Sequence, residues 1–385
     1  MKPLFVLLVF LLAPAYRAAA PHYAWHFPAD DGAHPAYANE WWYFTGNLAG
    51  SGGHRYGFEL TFFRISPAPG TALDHQLFFT HFAISDLSGR TYFAHERARR
   101  GDWRQAGVQL LPAGLRLWNE NWQADFDASG PVRLQASWGG HALDLRLRAG
   151  ARRLNGVGGY SQKGSLPGQA SEYYSFPHIE VRGTVNQAAV TGLAWMDHEF
   201  ASNQLAADQQ GWDWMGLHLP GDDLMLFNLR DTNGARDPHS AGTLMPAAGT
   251  PQPLAAADFT MTPRRWWQGY PVSWRVIVPS RQLDVTVSAA LDDQEFHAPA
   301  SGVRYWEGAV TVSGRCGGKS CSGEGYLELT GYGLRFDLLG DSPAAHEPRE
   351  RVGMPPRSRG RLKPIRFDRG GNAKAARLDN TQRSH

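Results

Sequence analysis

The apolar runs of this chain are short, and glycine or proline interrupts them along most of its 385 residues. There are 43 glycines and 25 prolines, and the runs between them are rich in β-branched and aromatic side chains. Beyond the N-terminal apolar stretch, no convincing run of apolar residues repeats at the helical period of about 3.6. Many short strand patterns separated by turn residues are typical of a β-sandwich or β-barrel. We therefore predict an all-β protein with less than about a tenth of its residues in helix.

The first β-hairpin can be delimited from the sequence. Residues 40–48 form the outgoing strand, a glycine-rich turn follows at 49–53, and residues 56–64 form the returning strand. Alternation along the returning strand predicts that four apolar side chains share one face: Tyr56, Phe58, Leu60 and Phe62. Glu59 and Thr61 then lie on the opposite face.

A similar pattern recurs near the end of the chain. Residues 305–308 (YWEG) and 325–330 (GYLELT) match the aromatic strand and the Glu-Leu-Thr return of the first hairpin. This internal repeat favours two similar barrels in tandem, with a boundary at residues 201–211. The predicted domains are an N-terminal barrel at 21–205 and a C-terminal barrel at 206–340.

The N-terminal residues have the composition of an export signal. Lys2 precedes an apolar stretch at 4–12, and small residues follow. The apolar stretch is too short to span a bilayer, which favours cleavage over anchoring. We assign residues 1–20 to the signal segment, with cleavage after either Ala15 or Ala20, and expect the protein in the periplasm or outside the cell.

The only two cysteines are Cys316 and Cys321. In an exported protein, two cysteines at the tip of a hairpin are expected to form a disulfide. A zinc half-site is the alternative, but no histidine cluster or CxxC motif accompanies the pair.

The net charge of +2 is unevenly spread. Residues 346–385 hold eleven Arg or Lys against four Asp or Glu, with proline and glycine throughout and few large apolar side chains. We therefore predict a disordered basic tail at 341–385. Weak contact with an anionic membrane surface is an alternative use of this tail. The tail has a single aromatic residue, Phe367, and no pattern of interleaved aromatic residues, so we expect no nucleic-acid partner.

Three segments place carboxyl groups beside large aromatic rings. These segments are 40–43 (EWWY), 195–200 (WMDHEF) and 211–214 (GWDW). For any single tryptophan, packing in the core is the simpler interpretation. The ionisable groups of 197–199 follow directly on an apolar strand, which is unusual for a core and favours a functional role.

Alternation places Asp197 and Glu199 on one face of the strand and His198 on the other, and two carboxyls on one face raise each other's pKa. His198 and Glu199, with His81 or His178, are acceptable ligand types for a metal ion. Because no HExxH or similar spacing occurs, we expect no metal. No Gly-x-Ser-x-Gly motif is present either, which argues against a serine nucleophile.

Taken together, these motifs resemble the exported lipocalin-like family that contains carotenoid 1,2-hydratases (hydroxyneurosporene synthases) and proteins described as secreted hydrolases. The resemblance spans residues 25–335 and depends on these segments: 40–48 with 56–64, 195–200, 211–219, 305–314 and 325–332. It implies two lipocalin-like antiparallel β-barrels packed together, with an apolar pocket. The basic tail after Tyr332 departs from the family pattern.

The resemblance also implies a chemistry. A hydratase protonates a carbon–carbon double bond, and water then captures the cation, which requires a protonated carboxyl group in a dry, aromatic pocket. Asp197 is the preferred acid, and Glu199, Glu40 and His198 are the other catalytic candidates. The candidate wall residues are aromatic: Trp41, Trp42, Tyr43, Trp195, Trp212 and Trp214. No cofactor is implied.

A non-catalytic periplasmic carrier of a lipid or another hydrophobic ligand is the competing hypothesis, because β-barrels of this type can hold one small apolar molecule. Both hypotheses require a hydrophobic partner of isoprenoid, fatty acyl or polyketide type. The hydratase hypothesis further requires that Asp197 face the pocket with a raised pKa. We also predict that Asp197, Glu199 and Glu40 lie at one aromatic-lined pocket.

Overall fold

The structure is a computed structural model, and it describes residues 15–333. The predicted basic tail at 341–385 and residues 1–14 of the predicted signal segment lie outside this range. The described residues belong to one compact unit of the chain. Among them, no helix has the length and apolar character that a membrane span needs.

Strands make up 62% of the structure and helices 6%, which confirms the prediction of an all-β protein. In the described part of the chain the helical residues form short 3₁₀ turns: Ala29–Asp31, Ser51–Gly53, Leu73–His75, Asp102–Arg104, Ala256–Asp258 and Pro279–Arg281.

The first sheet contains thirteen strands. In chain order they are β1 (Asn39–Gly50), β2 (Arg55–Ile65), β3 (Leu77–Asp86), β4 (Thr91–Arg100), β5 (Ala106–Leu111), β6 (Gly114–Asn119), β7 (Trp122–Asp127), β8 (Gly130–Trp138), β9 (His141–Ala149), β10 (Arg153–Leu154), β11 (Tyr160–Gln162), β12 (Ala170–Val185) and β13 (Ala188–Ala201). Their hydrogen-bonded order is β4-β3-β2-β1-β13-β12-β9-β8-β7-β6-β5, with β10 and β11 paired to β12. The edge strands β4 and β5 contact each other, so the sheet forms a nearly closed barrel.

The second sheet contains ten strands. They are β14 (Gln209–Leu219), β15 (Asp222–Asp231), β16 (Ala241–Pro246), β17 (Gln252–Ala255), β18 (Thr260–Trp267), β19 (Tyr270–Val278), β20 (Leu283–Ala289), β21 (Glu295–His297), β22 (Arg304–Cys316) and β23 (Lys319–Leu329). Their order is β17-β16-β15-β14-β23-β22-β20-β19-β18, with β21 paired to β22. The prediction of two antiparallel barrels packed together is confirmed. The chain passes from the first sheet to the second between β13 and β14.

The first hairpin follows the predicted alternation. Its turn uses Gly52 at φ 68°, a backbone conformation that glycine adopts without strain. On β2 the four apolar side chains from Tyr56 to Phe62 belong to the core of the first barrel. Glu59 and Thr61 lie on the other face, which meets the second barrel.

The second hairpin, β22–β23, contains the repeated motif. Its outer end carries Cys316 and Cys321, which are joined by a disulfide with a Cα–Cα distance of 5.7 Å, as the spacing predicted. Its inner end presents Tyr305, Glu307 and Glu328 towards the first barrel. The two similar hairpins therefore face each other where the barrels meet.

The contact between the barrels is dense and hydrogen-bonded. Asn47 Nδ2 donates to the Gly325 carbonyl oxygen at 2.9 Å, and Trp214 Nε1 donates to the Tyr173 hydroxyl oxygen at 3.1 Å. A Cβ added to Gly57 would lie only 2.9 Å from the Ala309 Cβ of the other barrel. Glycine at this position therefore lets the two sheets approach closely.

The residues next to the predicted signal cleavage sites pack on the first barrel. The Tyr16 hydroxyl donates to the Ser66 carbonyl oxygen at 2.7 Å, and the Ala20 amide donates to Glu172 Oε1 at 3.0 Å. Ala19 is buried. Cleavage after Ala20 would remove these contacts, whereas cleavage after Ala15 would keep them.

A buried ion pair closes one end of the first barrel. The Arg64 side chain is fully buried, and its Nε donates to Glu40 Oε2 at 2.7 Å. Its Nη atoms donate to Gln76 Oε1 and to the carbonyl oxygens of His34 and Tyr37. Glu40 also accepts from the His34 amide at 2.9 Å. The pair therefore joins β1 and β2 to the segment that precedes them.

The substitution Arg64→Met should lower the free energy of unfolding by about 3–5 kcal/mol, because it keeps most of the volume but leaves Glu40 buried without its cation. Denaturant-induced unfolding measures the loss. The control Arg116→Met, which removes an exposed pair with Asp125, should cost less than about 1 kcal/mol. Equal costs for the two variants would show that Arg64 is not the principal partner of Glu40.

Candidate functional site

One pocket lies between the two barrels, with about 750 Å³ of empty space when its opening to solvent is included. Strands β1, β2, β12 and β13 form one wall, and β14, β15, β22 and β23 form the other. Much of the lining is aromatic: Trp41, Tyr43, Phe63, Tyr173, Trp212, Trp214, Phe227 and Tyr305. Five carboxyl groups also line it: Glu59, Asp197, Glu199, Glu307 and Glu328.

Side-chain alternation determines which residues reach the pocket. In the β1–β13 pairing, Trp41 lies opposite Glu199 and Tyr43 opposite Asp197, and all four line the pocket. His198 points to the other face of β13, into the first barrel. The predicted separation of Asp197 and Glu199 from His198 is therefore what the structure shows.

The structure does not bring Glu40 to the pocket, contrary to the expectation from sequence. Glu40 and Trp42 alternate with Trp41 along β1, so they face the barrel interior together with His198. Glu40 Oε1 lies 2.8 Å from His198 Nε2, and Trp42 stacks on the His198 ring with 4.7 Å between centroids. Glu40 and His198 therefore lie at the buried end of the barrel, and neither of them lines the pocket.

The electrostatics of Glu40 also differ from those of a proton donor. Burial disfavours its charged form, but Arg64 and His34 overcome this effect and hold the pKa of Glu40 well below its usual range. The carboxylate is therefore compensated by neighbouring cationic groups. The geometry supports a structural role for Glu40.

Asp197 has a different environment, and it is 3% exposed. Its carboxylate accepts hydrogen bonds from the Tyr173 hydroxyl at 2.6 Å, from Ser175 Oγ at 2.5 Å and from Trp195 Nε1 at 2.6 Å. Burial raises the pKa of Asp197 to about 7, although these three donors lower it. Trp195 thus contributes to the site by holding Asp197.

Glu307 and Glu328 are directly opposite each other on β22 and β23. The Tyr43 hydroxyl donates to Glu307 at 2.6 Å, and Trp212 Nε1 donates to Glu328 at 2.9 Å. Burial, together with the charges of neighbouring carboxylates, raises the pKa of Glu307 well above its usual range and that of Glu328 to about 8. Glu328 therefore retains its proton at neutral pH, and burial shifts Glu307 in the same direction.

Glu59 is connected to a chain of hydrogen bonds that leaves the pocket. The Tyr305 hydroxyl donates to Glu59 Oε1 at 2.9 Å and lies 2.6 Å from His81 Nδ1. His81 Nε2 lies 3.3 Å from Glu96. Burial raises the pKa of Glu59. Burial acts in the same direction on Glu96, but its hydrogen bonds with His81 and backbone amides prevail and lower the pKa of Glu96 to about 2.

Because the Tyr305 hydroxyl carries one proton, this series of hydrogen bonds has two possible arrangements. Tyr305 donates either to Glu59 or to His81, and the second arrangement requires a protonated Glu59. Tyr305 therefore links Glu59 to His81 through hydrogen bonds between buried side chains. His81 was considered as a metal ligand from sequence, and here its two ring nitrogens face Tyr305 and Glu96.

Glu199 is the pocket carboxyl group with a cationic partner. Lys163 Nζ lies 3.2 Å from Glu199 Oε1, and Gln204 Nε2 donates to the same oxygen at 3.0 Å. Lys163 Nζ also lies 3.9 Å from the centroid of the Phe227 ring. This pair gives the pocket one polar side among its aromatic walls.

Sequence reasoning missed Glu59, Glu307, Glu328, Tyr173 and Lys163 as pocket residues. The internal repeat contained a signal for two of them, because its two copies place Glu59 and Glu328 in the same Glu-Leu-Thr motif. Alternation had already placed Glu59 opposite the apolar face. Tyr173 and Lys163 had no comparable signal.

The fold and site define a class of lipocalin-like proteins: two packed β-barrels with an acidic, aromatic pocket between them. Within that class the chain belongs to the AttH-like family, whose model matches residues 18–332. The relationship to carotenoid hydratase-like lipocalins inferred from the motifs is confirmed.

Two crystal structures show the extent of the similarity. An AttH protein from Nitrosomonas europaea is 33% identical, with a TM-score of 0.72 over 83% of this chain and 100% of that chain. Kievitone hydratase from Nectria haematococca shares the fold at 14% identity, with a TM-score of 0.60 over 82% of this chain and 96% of that chain. No curated protein matches this chain.

The buried carboxyl groups predict an unusual pH dependence of stability. The pKa of Glu328 rises from 4.5 to about 8 on folding, and that of Asp197 from 3.8 to about 7. Between these values the folded protein binds more protons than the unfolded chain, so the free energy of unfolding should fall as pH rises. Unfolding experiments at a series of pH values measure this slope.

The variant Glu328→Gln should make that slope shallower, because it removes one of the proton-binding groups. Glu120→Gln, at the protein surface, serves as the matched control and should leave the slope unchanged. A wild-type slope that is flat or rising over this pH range would contradict the raised pKa values.

Proposed function

We propose that the pocket binds a largely apolar small molecule and that Asp197 donates a proton to it, as in the addition of water to a carbon–carbon double bond. The observation that carries this proposal is the convergence of carboxyl groups with raised pKa values on an aromatic pocket. A raised pKa favours the uncharged, proton-bearing form of a carboxyl group near neutral pH, where ordinary surface carboxyls are ionised.

The composition of the pocket supports an apolar ligand, because small-molecule sites are lined mainly by hydrophobic and aromatic side chains. Tryptophan, tyrosine and phenylalanine rings form much of its walls, beside the five carboxyl groups and Lys163. An isoprenoid, fatty acyl or polyketide molecule has the corresponding chemistry.

The surroundings of Asp197 suit a general acid. Its pKa of about 7 is close to neutral pH, where a group can both hold and release a proton. After donation, the carboxylate is stabilised by Tyr173, Ser175 and Trp195, which already direct hydrogen bonds to it. The product of the proton-transfer step is therefore accommodated without movement of the site.

The aromatic walls and the second acidic group complete the proposed reaction. Proton transfer to one alkene carbon leaves a positive charge on the other carbon. The ring faces of Trp214 and Tyr43 can stabilise this charge. A water molecule then forms a carbon–oxygen bond there and loses a proton. In its ionised arrangement Glu59 can accept this proton, and Tyr305 connects Glu59 to His81. No cofactor is required for these steps.

The similarity to kievitone hydratase supports the fold, and the assignment of water addition to this chain depends on the pocket acids.

The disulfide between Cys316 and Cys321 supports a location in an oxidising compartment, which we propose to be the periplasm or the extracellular space.

The substitution Asp197→Asn should reduce turnover about 10²–10⁴-fold, the usual contribution of a general acid, while ligand affinity changes little. Purified protein is incubated in deuterated water with prenylated phenols, acyclic isoprenoids and unsaturated fatty acids. Mass spectrometry then detects products that have gained water and a carbon-bound deuterium. Asp284→Asn, at an exposed ion pair with Arg275, is the matched control and should retain full turnover.

Two results would contradict the proposal. Full turnover by Asp197→Asn would exclude Asp197 as the acid. Tight binding of panel members, or of a co-purified apolar molecule, with no product from any of them would favour the carrier hypothesis over the hydratase.

A further inference from the structure

A second cluster of ionisable side chains lies at the seam between the barrels, outside the pocket. His178 belongs to β12 of the first barrel, whereas His218 and Asp223 are a cross-strand pair on β14 and β15 of the second. Strands β12 and β14 contact each other. The cluster is therefore assembled only when the two barrels are packed together.

A β-bulge directs His178 towards this cluster. The pairing of β12 with β13 shifts register between Phe176 and Ile179, and both of these side chains pack in the first barrel's core. The two residues between them, Pro177 and His178, take up the extra length on the outer face. The Gly150 amide donates to the His178 carbonyl oxygen at 2.8 Å, which holds the bulge from β9.

The distances suit a shared ion. His218 Nδ1 lies 2.8 Å from Asp223 Oδ1, and His178 Nδ1 lies 3.5 Å from Asp223 Oδ2. One potential ligand atom from each residue lies within 4.8 Å of the others. Zinc binds imidazole nitrogen and carboxylate oxygen at about 2.0–2.2 Å, so small side-chain rotations would bring all three onto one ion.

The burial of the three side chains also suits a metal site. Asp223 and His218 are 11% and 8% exposed, whereas His178 is 52% exposed and leaves the outer side open to solvent. The three side chains offer imidazole nitrogen and carboxylate oxygen, both of which zinc accepts as ligands.

The chain offers an internal comparison in His34, Glu40 and His198, which also lie within 4.8 Å of one another. There, Arg64 already supplies a positive charge to Glu40, and the His34 and His198 ring nitrogens bond to Glu40 Oε1. That cluster is closed and electrostatically complete. The seam cluster has no Arg or Lys ion pair to Asp223 among the described residues.

We propose that His178, His218 and Asp223 bind one divalent transition-metal ion of the zinc type at the seam between the barrels. Two imidazoles and one carboxylate are a common zinc ligand set, with the fourth position left to water. The ion joins β12 to β14 and β15, so binding stabilises the arrangement of barrels that forms the pocket.

The site has a structural connection to the pocket. The Trp195 ring lies 6.0 Å from the His218 ring, and Trp195 Nε1 donates to Asp197. The Trp195 ring would therefore lie between an ion bound at His218 and the proposed acid, Asp197. The metal proposal itself is independent of any reaction at Asp197.

The test uses the full chain without a histidine tag, freed of metal by a chelator that is then removed. Zn²⁺ is titrated by calorimetry, and thermal unfolding is followed with and without the ion. We expect one ion per chain and a higher Tm with Zn²⁺. Co²⁺, as a spectroscopic probe, should give the visible absorption of a tetrahedral nitrogen–oxygen site.

The variants His218→Ala and Asp223→Asn should lose the calorimetric binding, the Co²⁺ absorption and the Tm increase. His297→Ala is the matched control, because it removes an exposed histidine paired with Glu295, and it should bind as wild type does. The alternative is that the cluster acts only as a hydrogen-bonded contact. The proposal is overturned if Zn²⁺ leaves the wild-type Tm unchanged, or if both variants bind it as wild type does.

Discussion

The central strands of the first barrel are buried on both faces, and this constraint organises the rest of the structure. One face of β1 and β13 packs into the barrel core, while the other meets the second barrel. Every ionisable residue on these strands is therefore removed from water, whichever way it points. Burial of a carboxyl group must be offset by a cation and hydrogen bonds, or the group remains protonated.

The two faces meet this constraint in different ways. On the core face, Glu40 is surrounded by Arg64, His34 and His198 and remains charged. On the pocket face, Asp197 has three neutral donors and its pKa rises to about 7. The same type of side chain thus supports the architecture on one face and supplies an acid on the other. The presence of a compensating cation separates the two roles.

The internal repeat explains why the acids collect at one place. The β1–β2 and β22–β23 hairpins are similar in sequence and present equivalent faces, so their packing brings Glu59 to the same pocket as Glu307 and Glu328. Contacts across the interface, such as Tyr43 to Glu307 and Tyr305 to Glu59, connect a tyrosine of each barrel to a carboxyl group of the other. The pocket is therefore a property of the pair of barrels.

Sequence alone determined the features that depend on local pattern. Turn residues and short apolar runs predicted the all-β fold, the cysteine spacing predicted the disulfide, and alternation separated Asp197 and Glu199 from His198. Tertiary structure decided that β1 would pair with β13, a strand about 150 residues away, in the register that places Glu40 opposite Phe200. In that register the Glu40 side chain points into the barrel core. The packing of the two barrels places Glu307 and Glu328 in the same pocket as Asp197. These outcomes depend on contacts between distant strands, which a local pattern of residues does not specify.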